Sequence, residues 1–477
     1  MATSRPAGWP DIRGQHHETR ETRAQRGKAA RADAPRLSHG EWRPATGRVD
    51  PVQILTDQAS ARLPELVPVR NGRMLASPFA FYRGSAAVMA ADLAGTPTSG
   101  IDVQMCGDAH LSNFGGYASP DRELVFDLND FDETLPGPWE WDVKRLAASL
   151  AIAGRDRGFS DRERAAVVRA AAAAYRSAMR EFASLGNLQV WYSRMTATDI
   201  RDRWGTTAGE KAARTFDRQV EKAMRKDSAR ASSKLTRLVD GQPRMVSDPP
   251  LLVPVSELLG KDDGLAFERV VDEALRSYRR SLSGGRRHLI EQFRYADAAR
   301  KVVGVGSVGT RAWVVLMLGI GDEEPLFLQL KEATKSVLAP FAGRSRFDQQ
   351  GQRVVVGQQL LQASSDIFLG WTRVAALDGV VRDFYIRQLW DWKLSADVDR
   401  QSARTMAIYG QLCGWTLARG HARSGDRVAI AAYLGRGDAF DVAMAEFAEE
   451  YADQNERDYE RFVEAARQLR LEVTLSA

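Results

Sequence analysis

The sequence predicts an α+β protein of two lobes, one large and helical, the other a small antiparallel sheet. Three observations carry this. The chain has 477 residues, more than one hydrophobic core usually organises. Its texture is helical from Asp161 to about Arg300, then turns to valine- and glycine-rich alternation over residues 301–331. Helical spacing returns over residues 401–477.

The hydrophobic fraction, 44%, and the charged fraction, 27%, are ordinary for a globular chain. Net charge is +5, and much of the excess lies near the start, from Arg5 and Arg13 to Arg31 and Arg36. Few large apolar residues accompany these cations, so residues 1–60 read as a basic, disordered tail. Glu18, Glu21 and Asp33 dilute the charge, and no aromatic stands between Trp9 and Trp42 to stack on bases. A nucleic-acid partner is therefore not expected. Cys106 and Cys413 show neither metal-ligand spacing nor a disulfide framework, which fits a reducing cytosol. No apolar segment follows the basic residues as in a signal peptide, and no run of about eighteen apolar residues could span a membrane. The expectation is a cytoplasmic protein without membrane contact.

Along the chain, a helix is expected from about Ser85 to Leu93 and short strands at Val103–Cys106 and Leu124–Leu128. Asp142 to Ala153 has helical spacing, with Val143, Leu146, Leu150 and Ile152 on one side. The stretch 156–300 reads as a helical insertion, broken by Pro243, Pro249, Pro250 and Pro254. Residues 301–331 read as strand, glycine loop, strand, turn, strand. A helix from about Gly351 to Gln362 and strands near Phe368–Val374 and Asp383–Gln388 complete a β-rich lobe over 301–395. Residues 61–155 would then carry the acidic site, and 396–477 the C-terminal part of the helical lobe.

The first chemical motif is Gly304-Val305-Gly306-Ser307-Val308-Gly309. Glycines permit a tight turn and a close approach to an anion, which then meets exposed backbone N–H groups. Alone, such a run also suits any flexible hairpin. The dinucleotide-binding version needs a helix after the loop, whereas Thr310 to Met317 reads as strand. A glycine loop between two antiparallel strands is the arrangement kinases place over ATP phosphates. Gly304, Gly306, Ser307 and Gly309 are thus candidate phosphate binders. Lys331 ends an apolar strand farther on, where a kinase carries its phosphate-pairing lysine. An edge lysine reaching toward solvent would look the same in isolation.

The second motif is acidic. Gly107-Asp108-Ala109-His110-Leu111-Ser112-Asn113 sets an Asn five residues after an Asp. In a kinase catalytic loop such an Asp takes or orients the acceptor hydroxyl proton, and the Asn holds Mg²⁺. Val125-Phe126-Asp127-Leu128-Asn129-Asp130 supplies further hard oxygen ligands, with Asp127 or Asp130 as the second metal ligand. His110 reads as a positioning residue, because the other histidines form no zinc-ligand spacing. Arg83, Gly-flanked and set among aromatics, is a candidate positive charge near the phosphates.

The segment Gly107 to Asn113 is similar to the catalytic loop of aminoglycoside phosphotransferase-like kinases. Asp130, followed by Gly137-Pro138-Trp139-Glu140-Trp141-Asp142, looks like their metal-binding Asp and the Gly-x-x-x-x-Asp helix start. With Ser77-Pro78-Phe79-Ala80-Phe81-Tyr82-Arg83-Gly84 and Asn129-Asp130-Phe131-Asp132-Glu133, these motifs more closely resemble the bacterial domain-of-unknown-function 2252 family, from about residue 50 onward. That family carries no assigned reaction. The kinase likeness implies a kinase-like two-lobe fold using ATP and Mg²⁺, with Asp108 and Lys331 as catalytic groups; Arg83 joins them as a candidate from its setting alone.

The order of the parts is inverted, since Asp108 precedes Gly304. The resemblance therefore implies a circularly permuted kinase-like fold, cut after the helix Met406 to His421 that would lead into the catalytic loop. Ile386-Arg387-Gln388-Leu389-Trp390 would be the hinge, with Gln388 and Leu389 offering backbone groups to adenine. His421-Ala422-Arg423-Ser424-Gly425-Asp426 fails as a second catalytic loop, because Ala431 stands where Asn is required. The helix Gln352 to Gln362 holds glutamines but no Glu to pair with Lys331, and Glu332 should face the other way.

The leading expectation is an ATP- and Mg²⁺-dependent phosphotransferase acting on a small-molecule hydroxyl, with nucleotidyl transfer by the same site as its near neighbour. The missing Glu motivates a second reading, a catalytically inactive nucleotide-binding scaffold. Asp108-x-His110 with Asn129-Asp130 motivates a third, a metal-dependent phosphoesterase. That chemistry wants more histidines than His288 and His421 supply downstream, and it leaves Lys331 unexplained.

Overall fold

The computed structural model describes residues 18–474 except 226, 227, 303, 323, 390 and 391. Strands β1 (Asp102–Met105), β2 (Phe114–Ala118), β3 (Leu124–Leu128) and β4 (Leu135–Pro138) flank the acidic motifs. β1 pairs antiparallel with β4, and β2 with β3. β5 (Thr236–Val239) and β6 (Gln242–Met245) form a separate hairpin. The main sheet takes β7 (Leu252–Pro254), β8 (Arg294–Lys301), β9 (Ala312–Leu318), β10 (Pro325–Glu332), β11 (Gly370–Ala375) and β12 (Val381–Gln388). Its order is β11-β12-β10-β9-β8-β7, with every neighbour antiparallel. β13 (Leu394–Ser395) then crosses back to pair with β2.

Alternation along β9 explains why this sheet is covered on both faces. Val315 and Met317 join Phe267, Val271, Leu275 and Tyr278 of helix Lys261–Ser281 in one core. Val314, Leu316 and Leu318 join Ala231, Leu235 and Met245 in another. The helical lobe is built from Trp139–Asp156, Asp161–Ser184, Ala403–Ser424 and Ala439–Arg467, which share a single large core. A capping box between Ser160 and Glu163 starts the second of these, and Ser402 caps the third. Where the second and third cross, Gly410 and Gly414 lie against Ala171.

Two segment boundaries differ from the sequence reading. Residues 1–17 lie outside the described residues, but from Glu18 onward the supposed tail is folded. Helix Arg20–Ala29 packs on Arg427–Leu434, with Gly27 against the Ala429 carbonyl, and His39 and Trp42 are buried. Its arginines serve as clamps. Arg31 Nε donates to the Tyr433 carbonyl at 2.9 Å, and Arg48 bridges Asp92 and Asp458 at 2.6 and 2.9 Å.

The stretch 156–300 is likewise not one helical insertion. Asp161–Ser184 belongs to the helical lobe, whereas β7, helix Lys261–Ser281 and β8 build the sheet lobe, which thus begins well before residue 301. The strand expected just before the glycine loop is β8, which starts at Arg294 and ends at Lys301; Ala296, Ala298 and Ala299, weak strand formers, mask its beginning. Among the described residues no helix is long and apolar enough to cross a membrane.

Helix Trp139–Asp156 is buried along most of its length, Glu140 and Lys144 included. Glu140 Oε1 accepts from Ser99 N at 2.7 Å, while Glu140 Oε2 and Lys144 Nζ have no hydrogen-bond partner among the described residues. Burial lifts Glu140 from 4.5 to about 7 and drops Lys144 to about 7. Between pH 4.5 and about 7 the folded chain therefore holds a proton at Glu140 that the unfolded chain has released. Stability from this group is complete below 4.5 and is lost as pH rises through about 7. Glu140→Gln should flatten that fall in urea unfolding run from pH 4.5 to 7, while Glu133, also raised to about 7, keeps part of it. Gly414→Ala should drive a methyl into the Ala171 carbonyl and lower stability by about 1–3 kcal/mol, read as a fall in Tm.

Candidate active site

β1 ends in a turn at Gly107, whose φ of 87° brings it against the Glu133 carbonyl with no room for a side chain. Asp142 fixes this turn, accepting from Cys106 N at 2.6 Å and Gly107 N at 2.9 Å. Asp108 follows, its side chain 20% exposed. Its Oδ1 accepts from Arg145 Nε at 2.8 Å, and Arg145 lies over the Tyr82 ring at 3.9 Å. Burial raises the Asp108 pKa, ahead of the opposing pull of Arg145. His110 Nδ1 accepts from Ser112 N at 3.2 Å, and its Nε2 is 3.7 Å from Asp108 Oδ2. Asn113 Nδ2 donates to the Asp108 carbonyl at 2.8 Å, which leaves Oδ1 as an acceptor with no hydrogen-bond partner among the described residues.

Beyond β3 the chain turns through Asp130 and Asp132. Lys331, on β10, meets both: its Nζ contacts Asp132 Oδ2 and stands 3.6 Å from Asp130 Oδ2. The lysine is 2% exposed, the two acids 33% and 26%. Tyr385 Oη on β12 donates to Asp132 Oδ1 at 2.8 Å. Burial acts to lower the Lys331 pKa, but Asp130 and Asp132 outweigh it and hold the amine above its ordinary value. Asp130 is raised, by burial and then by repulsion from Asp132. Asp132 is lowered, because Lys331 and Tyr385 overcome the effect of burial. Two sheet-lobe arginines hold the loop's backbone. Arg387 donates to the Asn129 carbonyl at 3.0 Å, and Arg353, on helix Gln350–Leu361, donates to the Asp132 and Thr134 carbonyls at 2.8 and 2.7 Å.

The glycine loop joins β8 to β9 and closes over these groups. Ser307 Oγ lies 3.4 Å from Asp132 Oδ2. The loop's carbonyls are taken from outside: Gly304 O by Arg73, Val308 O by Arg62 at 2.6 Å and Gly309 O by Leu63 N at 2.8 Å. The N–H groups of Gly306, Ser307 and Gly309 have no hydrogen-bond acceptor among the described residues. Gly306 sits against the Arg83 carbonyl, where a Cβ would come within 3.3 Å. Burial lowers the Arg83 pKa against the attraction of Asp108 and Asp399.

A family model described as "Uncharacterized protein conserved in bacteria (DUF2252)" matches residues 62–465. The chain belongs to that family. No curated protein and no solved structure matches it.

Of the residues singled out in this DUF2252 chain, Asp130, Lys331 and Ser307 stand together, with Asp108 close enough to Asp132 for the two carboxylates to repel. Others stand elsewhere. Asp127 is not a metal ligand candidate: it is 1% exposed and its oxygens are taken by Arg419, by Ala363 N at 2.8 Å and by Leu128 N at 2.9 Å. It lies on β3 and meets Arg419, whereas Asp130 lies beyond the strand's end, in the turn that meets Lys331. Gln388 and Leu389 are not hinge donors either. Gln388 ends β12, an inner strand of the main sheet, with its N on the Asp366 carboxylate, and Leu389 follows with its N on the Phe327 carbonyl at 2.8 Å. Trp390 of the proposed hinge lies outside the described residues. Asp426 caps helix Arg427–Leu434. Sequence reading gives no role to Tyr385, Arg353 or Arg145, and it places Arg387 only in the hinge and Asp132 only within the acidic family motif. The available signal was for Asp132 alone, two residues beyond Asp130 in the same acidic turn.

Removing Asp127 leaves Arg419 buried and unpaired. Asp127→Ala should therefore cost about 3–5 kcal/mol in urea unfolding. Asp130→Asn should change stability far less, because Lys331 keeps Asp132.

Proposed function

We propose that the protein is an ATP- and Mg²⁺-dependent phosphotransferase of a small-molecule hydroxyl, built on a circularly permuted kinase-like fold. The observation that carries this reading is the meeting of Lys331 with Asp130 and Asp132 beneath a glycine loop in which the N–H groups of Gly306, Ser307 and Gly309 have no acceptor among the described residues. Mg²⁺ is commonly held by one or two carboxylates together with substrate phosphates. Asp130, one-third exposed, and the open Oδ1 of Asn113 fit that donor set. The bound ion would offset negative charge on the phosphates.

Each protein group then has a task. The loop N–H groups and Lys331 bind phosphate oxygens, and Arg83 adds positive charge beside them. Asp108 accepts or orients the acceptor's hydroxyl proton, a task that its raised pKa assists. Arg145 and Asp142 hold Asp108 in place.

The permutation is supported by what lies where the cut would be. Helix Ala403–Ser424 ends against the start of β1: Ser424 Oγ accepts from Gln104 N at 3.2 Å, and Gly425 packs on Asp102 and Val103. A bond drawn there would restore the order sheet lobe, helix, catalytic loop, metal-binding Asp. The phosphoesterase reading is disfavoured, since no three His, Cys, Asp or Glu side chains converge to hold a metal among the described residues. The inactive scaffold remains a second reading, favoured by one observation: helix Gln350–Leu361 turns Arg353, not an acid, toward the site.

Calorimetry with ATP and Mg²⁺, followed by incubation with a small-molecule extract and either γ- or α-labelled ATP, tests all of this. The expected result is binding and transfer of the γ label. Asp108→Ala should bind ATP normally but transfer roughly 10²–10⁴-fold more slowly. Transfer of the α label would mean nucleotidyl transfer, binding without transfer would mean the scaffold, and no ATP binding would refute the proposal.

A further inference from the structure

We infer that Asp132 is the positioning partner of Lys331, supplied by the metal-binding loop in place of the helix carboxylate that kinases use. This rests on the phosphotransferase reading above. A buried ammonium needs an acid, and helix Gln350–Leu361 offers none. Of the two acids at hand, Asp132 is in direct contact with Nζ, while Asp130 stands off at 3.6 Å.

Their surroundings divide the labour. Both oxygens of Asp132 are engaged, Oδ1 by Tyr385 and Oδ2 by Lys331 and, more distantly, Ser307. Asp130 Oδ1 has only a 3.3 Å bond from Asp132 N, so its carboxylate stays the freer of the pair for a cation. The backbone of Asp132 is also fixed. Arg353 Nη2 donates to its carbonyl and to that of Thr334, both at 2.8 Å, and Thr334 lies just past Lys331 on the same chain.

The helix thus delivers a cation to three main-chain carbonyls, of Asp132, Thr134 and Thr334, where kinases deliver an anion to the lysine. An acid at position 353 would face Asp132 and Glu133, which already surround Arg353. The lysine anchor and the metal ligand consequently sit two residues apart in a single turn. Neither can move without the other.

The test uses the full chain and two readouts. The first needs no nucleotide: thermal melting of Asp132→Asn, Lys331→Met and the double variant. The losses should be strongly non-additive, whereas those of Asp130→Asn and Lys331→Met should come closer to adding. The second is calorimetry with ATP at varied Mg²⁺. Asp132→Asn should weaken ATP binding about tenfold or more, with no further loss in the Lys331→Met background. It should leave the Mg²⁺ midpoint unmoved, while Asp130→Asn shifts that midpoint upward. Asp132→Glu, which keeps the charge, should recover part of the affinity. Additive melting losses, or an Mg²⁺ midpoint moved equally by both Asn variants, would overturn the assignment. Failure of the wild type to bind ATP would instead refute the phosphotransferase reading and leave the melting cycle to decide the pairing.

Discussion

A buried ammonium must find negative charge, and Lys331 finds it in a loop about two hundred residues earlier in the chain. An unpaired charge at 2% exposure would be prohibitive, so the sheet lobe and the helical lobe are obliged to meet at this point. Three more side chains of the sheet lobe reinforce the same junction. Tyr385 takes one carboxylate oxygen of Asp132, and Arg387 and Arg353 take carbonyls along the segment 129–134. The acidic turn has little hydrogen-bonded structure of its own. Its shape is imposed by cations from across the cleft.

Asp108 belongs to a different electrostatic environment. Its partner is Arg145, itself braced by the Tyr82 ring and carbonyl, and both belong to the helical side of the molecule. Asp132 is close enough to add to the raised pKa of Asp108, but the two acids are neutralised by separate cations. Asp108 keeps a raised pKa in spite of its arginine, because burial outweighs the pull of Arg145.

Much of this was legible in short-range pattern. The glycine run, the strand ending at Lys331 and the Asp-to-Asn spacing are local signals, and each lies in the element that the pattern implied. The misses have physical causes. Asp127 and Asp130 look alike in sequence, but Asp127 lies on β3 and meets Arg419, whereas Asp130 lies beyond the strand's end and meets Lys331. The basic segment 18–60 has too few apolar residues to announce a fold, because it docks through arginine-to-carbonyl bonds rather than through a core of its own. Arg353 was invisible for a different reason. An acid was sought on that helix, and the residue present does the opposite electrostatic task on the backbone.

The same arginine logic explains the attitude of the glycine loop. A loop between two strands has no intrinsic reason to turn its N–H groups one way. Here the segment 62–84 runs along the loop's outer side, burying Val308 beside Leu66 and Val69 and drawing the carbonyls of Gly304, Val308 and Gly309 toward Arg73, Arg62 and Leu63. The peptides of Gly304 and Val308 are thereby held from the outside, while the N–H of Thr310 turns back to the Ser307 carbonyl within the loop. Residues 62–84 precede β1 in the chain and are free to pass behind the glycine loop. The outer bracing of that loop thus follows from the place of this segment in the topology.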